Sequence, residues 1–192
     1  MGNDSTPVNK ETIINLNPDL IILPEYNWQT KEKDYEGLNI PIFVCFPNNE
    51  SIESVISTLE VLAKLFGQED RANLIKNNYY QIIDEVNRSI EGINFKPRAA
   101  FFGPRTYTIA TSNMLQNQII NAAGGQTCIP NFLDDHFATV EPETIINMNP
   151  EYIFIPSYAE YSVADVTNDP KLSNVEAVKN GHVYKFPCNL EP

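Results

Sequence analysis

The phrase ETIINLNPDLIILP, beginning at Glu11, returns as ETIINMNPEYIFIP, beginning at Glu143. This repeat constrains the chain more than any other feature. In each copy a short apolar-faced helix meets Asn-Pro and gives way to a run of apolar residues. Proline cannot continue a helix, and it pushes the residue before it toward extended geometry, so Pro18 and Pro150 mark helix-to-strand switches. The runs at 20–23 and 152–155 are continuously apolar, as expected of strands in a parallel sheet covered on both faces. Two separated copies of one helix–strand unit imply two lobes of similar α/β architecture.

Between the copies the pattern is helical. A second apolar strand is expected at 42–46, and Asn49-Glu50-Ser51 can cap a helix carrying Ile52, Val55, Ile56, Leu59, Leu62, Leu65 and Phe66 at helical spacing, ended by Gly67. A second helix is predicted from Glu69 to Ile90, free of Gly and Pro. At 1.5 Å per residue it is about 33 Å long, enough for a rigid strut between two α/β units. Beyond it the sequence predicts strands at 99–102 and 106–110 and a helix at 113–123 stopped by Gly124-Gly125. The second repeat copy follows, then a loop at 157–168, a helix at 170–178 and a strand at 183–186. Alternation of strands and helices argues for parallel sheets. The expected division is a first lobe at 1–68, a connecting helix at 69–92 and a second lobe at 93–192.

Charge and composition narrow the function. The formal net charge is -12, with only 13 Lys and Arg among 192 residues, which argues against a nucleic-acid partner because phosphate neutralisation needs clustered cations. Cys45, Cys128 and Cys188 are odd in number and widely spaced, forming neither a zinc motif nor a disulfide framework. With only His136 and His182 present, direct binding of a bare metal ion is disfavoured, and no resident cofactor is expected. An enzyme is not expected either: the sequence has no Gly-x-Ser-x-Gly, no phosphate-cradling glycine loop and no His-x-x-x-His pair. No apolar run approaches the roughly 18 residues of a membrane helix, and the first residues lack a signal peptide's basic and apolar regions.

Ligands gather at the carboxyl edges of parallel strands. Residues 24–28, 47–48, 103–107 and 156–161 are expected there as loops, and they bring Tyr26, Trp28, Arg105, Tyr107, Tyr158 and Tyr161. Aromatic faces bury a large flat area while Tyr and Trp keep a polar tip. The Arg105 fork can pair with a carboxylate, phosphate or catecholate oxygen. Such a set suits a bulky, partly anionic chelate better than a bare ion. His136, beside Asp134 and Asp135, could reach the iron of such a ligand, or the cluster could be a solvated loop.

Taken together, Glu11 to Leu23, Ile40 to Val44, the long helix, Leu115 to Gly125, the second Asn149-Pro150 unit and Asp169-Pro170 through Tyr184 resemble the class III periplasmic binding proteins. These are the solute-binding components of ABC importers for iron–siderophore, haem and cobalamin complexes. The resemblance implies two parallel-sheet lobes joined by a long rigid helix, with the first lobe incomplete and a closing helix missing after the last strand. A second copy of the chain, or exchange of elements, would then cover the exposed sheet edge in a homodimer. It further implies an extracytoplasmic location, with membrane anchoring as a lipoprotein left open and the signal segment absent from this chain. The implied cargo is a siderophore, haem or corrinoid chelate, or an oxyanion. The implied partner is an ABC permease, onto whose arginines Glu11 and Glu143 would dock, one from each lobe. Reuse of the fold as a sensor or scaffold without transport is the alternative reading.

Overall fold

The computed structural model describes residues 8–45, 51–111, 114–129 and 137–186, with the side chains of residues 26 and 27 left aside. His136, Pro47, Asn48 and Cys188 therefore lie outside the described residues, as does the side chain of Tyr26. The chain divides into two compact units, Met1–Gly67 and Gln68–Pro192.

The first unit begins with α1 (Lys10–Leu16). Asn9 caps it by accepting from the Thr12 amide at 2.9 Å, and Asn17 ends it in the left-handed region at φ 43°. Asparagine tolerates that region better than most residues, and Pro18 prevents continuation. Strand β1 (Ile21–Pro24) leads directly into α2 (Glu25–Tyr35), and β2 (Ile42–Cys45) lies parallel to β1 with Ile21 opposite Ile42. Helix α3 (Ile52–Phe66) opens with a capping box in which Ser51 and Ser54 bond each other's backbone, and Gly67 closes it at φ 62°.

The second unit opens with α4 (Glu69–Ile90), 22 residues with Glu69 and Asp70 in its first turn, where a helix favours negative charge. Its predicted bounds coincide with those observed. Then come β3 (Arg98–Phe101), β4 (Thr108–Ala110), α5 (Leu115–Ala122), β5 (Gln126–Thr127), β6 (Phe137–Thr139), α6 (Pro142–Met148) and β7 (Tyr152–Ile155). The chain continues through α7 (Val163–Thr167), α8 (Glu176–Asn180) and β8 (Val183–Lys185). Strands order as β5-β3-β7-β8, all parallel, with Ala99 opposite Tyr152 and Ile153 opposite Val183.

Alternation along the strands splits that sheet into two faces. Ala100, Phe102, Ile153, Ile155 and Val183 point into a core closed by Ile145, Val166, Leu172 and Val175 from the α6 to α8 region. Ile145, Ile153, Ile155 and Val175 are 0% exposed, so each contributes about 1.5–3 kcal/mol of burial. Ala99, Phe101, Tyr152 and Phe154 take the other face, against Ile120 of α5.

Four expectations are corrected. Residues 25–28 are the first turn of α2 and not a loop, because Pro24 serves as its N-cap and Glu25 favours the helix start. Strand β4 pairs with β6 antiparallel, outside the parallel sheet. The expected loop at 157–168 contains α7, started by a capping box between Ser162 and Asp165. The expected helix at 170–178 is mostly turns, in which Asp169 and Ser173 bond local backbone, leaving only α8 at its end.

Candidate ligand-binding edge

Two loops meet at the carboxyl edge of the second unit's sheet, one after β3 and one after β7. The first is a tight turn. The Gly103 amide donates to the Thr108 carbonyl at 2.7 Å, and the Thr108 hydroxyl donates to the Arg105 carbonyl at 2.6 Å. A Cβ on Gly103 would sit 2.2 Å from the Thr108 Oγ1 and 2.8 Å from the Phe137 ring, so only glycine fits. The turn ends with Tyr107 in the left-handed region at φ 57°.

The second loop is stitched to the first. The Glu160 amide donates to the Pro104 carbonyl at 2.9 Å, and the Tyr161 hydroxyl donates to the Gly103 carbonyl at 2.9 Å. From the end of β8, the Lys185 ammonium donates to the carbonyls of Ala159 at 3.1 Å and Tyr161 at 3.0 Å. Burial pushes the Tyr161 phenol well above its ordinary pKa, so it stays a neutral donor. The two loops thus form one platform whose backbone is fixed at both 103–104 and 159–161.

On that platform the Arg105 side chain is 77% exposed, and its Nε lies 4.0 Å from the Glu160 carboxylate, itself 71% exposed. Tyr158 is exposed beside them along the chain. Tyr107 and Tyr161 are used differently. Tyr161 is buried with its hydroxyl engaged by Gly103. Tyr107 donates its hydroxyl to the Asp169 carboxylate, while the Lys171 ammonium lies 5.6 Å from its ring centroid. That hydrogen bond, with burial and the Asp169 charge behind it, pushes the Tyr107 phenol up to about 12. Both tyrosines hold the platform; Arg105, Tyr158 and Glu160 are exposed on it.

A second concavity lies on the sheet face opposite the core, an apolar groove of about 560 Å³. Phe101, Tyr152, Phe154 and Phe186 form its floor, Leu115 and Ile119 of α5 its wall, and Tyr158 lines it too. Among the described residues no charged side chain lines it.

Of the residues predicted to bind, Arg105, Tyr107, Tyr158 and Tyr161 come together on the platform. Trp28 stands half-buried in α2 of the first unit. Glu11 and Glu143 are exposed in the first turns of α1 and α6. Sequence reasoning passed over Lys185 and the ionic role of Glu160. A lysine ending an otherwise apolar strand was the available signal for Lys185. Among the described residues no three His, Cys, Asp or Glu side chains converge as a metal site, and no helix is long and apolar enough to cross a membrane.

The periplasmic binding protein family profile matches residues 2–190. The petrobactin-binding protein YclQ of Bacillus subtilis is 25% identical over 186 residues, covering 90% of this chain and 56% of that protein. The chain thus spans little more than half the length of this curated relative. The structure of CeuE from Helicobacter pylori, solved with a nickel–histidine complex, superposes with a TM-score of 0.83 at 24% identity, covering 96% of this chain and 59% of that one. The molybdate-binding periplasmic protein MolA of Haemophilus influenzae, solved with molybdate, gives 0.83 at 17% identity over 97% of this chain and 63% of its own. With parallel sheets in two units and a family match along nearly its whole length, the chain belongs to the periplasmic binding protein family and has the class III fold.

Proposed function

We propose that this chain carries ligand-contacting surface of an extracytoplasmic solute-binding protein that captures a ferric siderophore or a related metal chelate for an ABC importer. The observation that carries the reading is Arg105, an exposed guanidinium fork on an immobilised platform at the carboxyl edge of a parallel sheet. The turn fixes the backbone from which the fork extends, with the Arg105 amide donating to the Thr108 hydroxyl at 3.3 Å, and the planar guanidinium can pair with a catecholate or carboxylate oxygen. Tyr158 adds an aromatic face, and Tyr26, Trp28 and His136 are further contacts in this reading. The name of the Bacillus subtilis relative supports a siderophore as cargo. The protein acts by binding and release, without chemical turnover. Helix α4 is the strut of this reading, and the exposed Glu11 and Glu143 are its contacts for basic residues of the permease.

The test is a titration of the full chain with a ferric tris-catecholate, a ferric tris-hydroxamate, haem, cobalamin and molybdate. Trp28 fluorescence follows binding, and calorimetry checks it. Saturable binding of a ferric siderophore at low micromolar concentration supports the proposal. Binding of haem, cobalamin or molybdate alone would reassign the cargo, and silence toward all five favours the sensor or scaffold reading.

A further inference from the structure

The guanidinium that makes the edge attractive to anions already has an anion beside it. Glu160 is not a floppy surface neighbour: its own amide is bonded to Pro104, and the carbonyls on either side of it, those of Ala159 and Tyr161, are both held by Lys185. Its backbone cannot move away from Arg105 without breaking the stitching of the platform. The side-chain contact itself is weak, 4.0 Å between largely exposed groups, and exposed pairs of this kind are readily exchanged. The carboxylate therefore stays within reach of Arg105 while its hold on the guanidinium is easily displaced.

We infer that Glu160 is a specificity-determining residue, a tethered counter-ion for Arg105 that an incoming ligand must displace with negative charge of its own. This rests on the chelate-binding reading and refines it. An anionic chelate takes over the Arg105 fork and pushes the carboxylate aside. An uncharged chelate feels neither the attraction of Arg105 nor the repulsion of Glu160 as a net charge, so its affinity depends little on Glu160. Glu160 also repels the anion it yields to, which limits retention and favours release to a permease. Lys185 does not take over the role of Arg105, because its ammonium is committed to two backbone carbonyls.

The test compares the full chain with Glu160→Gln and Glu160→Asp by calorimetry, using a trianionic ferric tris-catecholate and an uncharged ferric tris-hydroxamate. Glu160→Gln should shift the affinity ratio toward the trianion by about five-fold at low salt, while Glu160→Asp, which keeps the charge, should shift it by less than about two-fold. The shift should shrink at about 0.5 M salt, where screening shortens the reach of charge. A salt-independent shift, an unchanged ratio, or equal weakening of both ligands in Glu160→Gln would overturn the inference while leaving chelate binding intact. Unaltered protein that binds only the uncharged chelate would also overturn it. Unaltered protein that takes up neither chelate overturns the siderophore reading itself and this inference with it.

Discussion

The two copies of the repeat begin alike and end differently. In both, an asparagine before proline adopts nearly the same left-handed conformation, φ 43° and ψ 56° at Asn17, φ 41° and ψ 61° at Asn149. The surroundings then diverge. Ile13 is half-buried and Ile14 is 59% exposed, whereas Ile145 is 0% exposed. Strand β1 lies in a two-stranded sheet with one apolar residue exposed, while β7 lies between β3 and β8 with Ile153 and Ile155 fully buried. After Pro24 the chain enters a helix at once; after Pro156 it forms the loop that carries Tyr158 and Glu160. Local chemistry fixes the cap and the turn, whereas neighbours decide burial and the path of the chain beyond the strand.

The largest expected contrast is in the core. Ile145→Ala should cost about 2–5 kcal/mol by chemical denaturation, against about 1 kcal/mol for Ile13→Ala. Equal losses would break the distinction between the copies. Next come the two asparagines. Replacing either by alanine forces a Cβ-bearing residue without a compensating side chain into the left-handed region, at about 1–2 kcal/mol each. Asn149 also accepts the Glu176 amide at 2.9 Å, so its alanine variant should lose about 1 kcal/mol more than Asn17→Ala. At the platform, Tyr161→Phe should cost about 1 kcal/mol by removing the donor to Gly103. It should also weaken chelate binding by loosening the loop that carries Glu160; a stability loss with unchanged affinity would separate the stitching from the site.

The smallest effect is a pH dependence special to the second unit. Because the Tyr107 phenol is raised from its ordinary value to about 12, its contribution to stability is complete below about pH 10. It disappears as pH rises through about 12, where the folded state must surrender the proton. Tyr107→Phe should flatten that segment of the alkaline unfolding profile, and an unaltered profile would mean that the Asp169 bond adds no linked stability.

Local signals made much of this legible from residue order. Asn-Pro fixed both helix ends, Ser51 and Gly67 bounded α3, and the uninterrupted run from Glu69 to Ile90 gave α4. What was lost depends on contacts distant in sequence. Nothing near Thr108 announces antiparallel pairing with Phe137–Thr139, and nothing near Tyr161 announces that its hydroxyl serves Gly103, 58 positions away. The start of α7 was readable and overlooked, because Ser162-x-x-Asp165 is a capping pair. Composition could gather Arg105, Tyr107, Tyr158 and Tyr161 into one group, but only geometry separates the two that hold the platform from the two that face outward.

The central claim is that ligand meets the second unit at its stitched edge and not in its apolar groove. Hydrogen–deuterium exchange of the full chain, with and without a saturating ferric tris-catecholate, tests this directly. The account predicts slowed exchange in peptides covering 103–108 and 156–162, with 115–123 unchanged. Protection confined to 115–123, beside the groove, would contradict it.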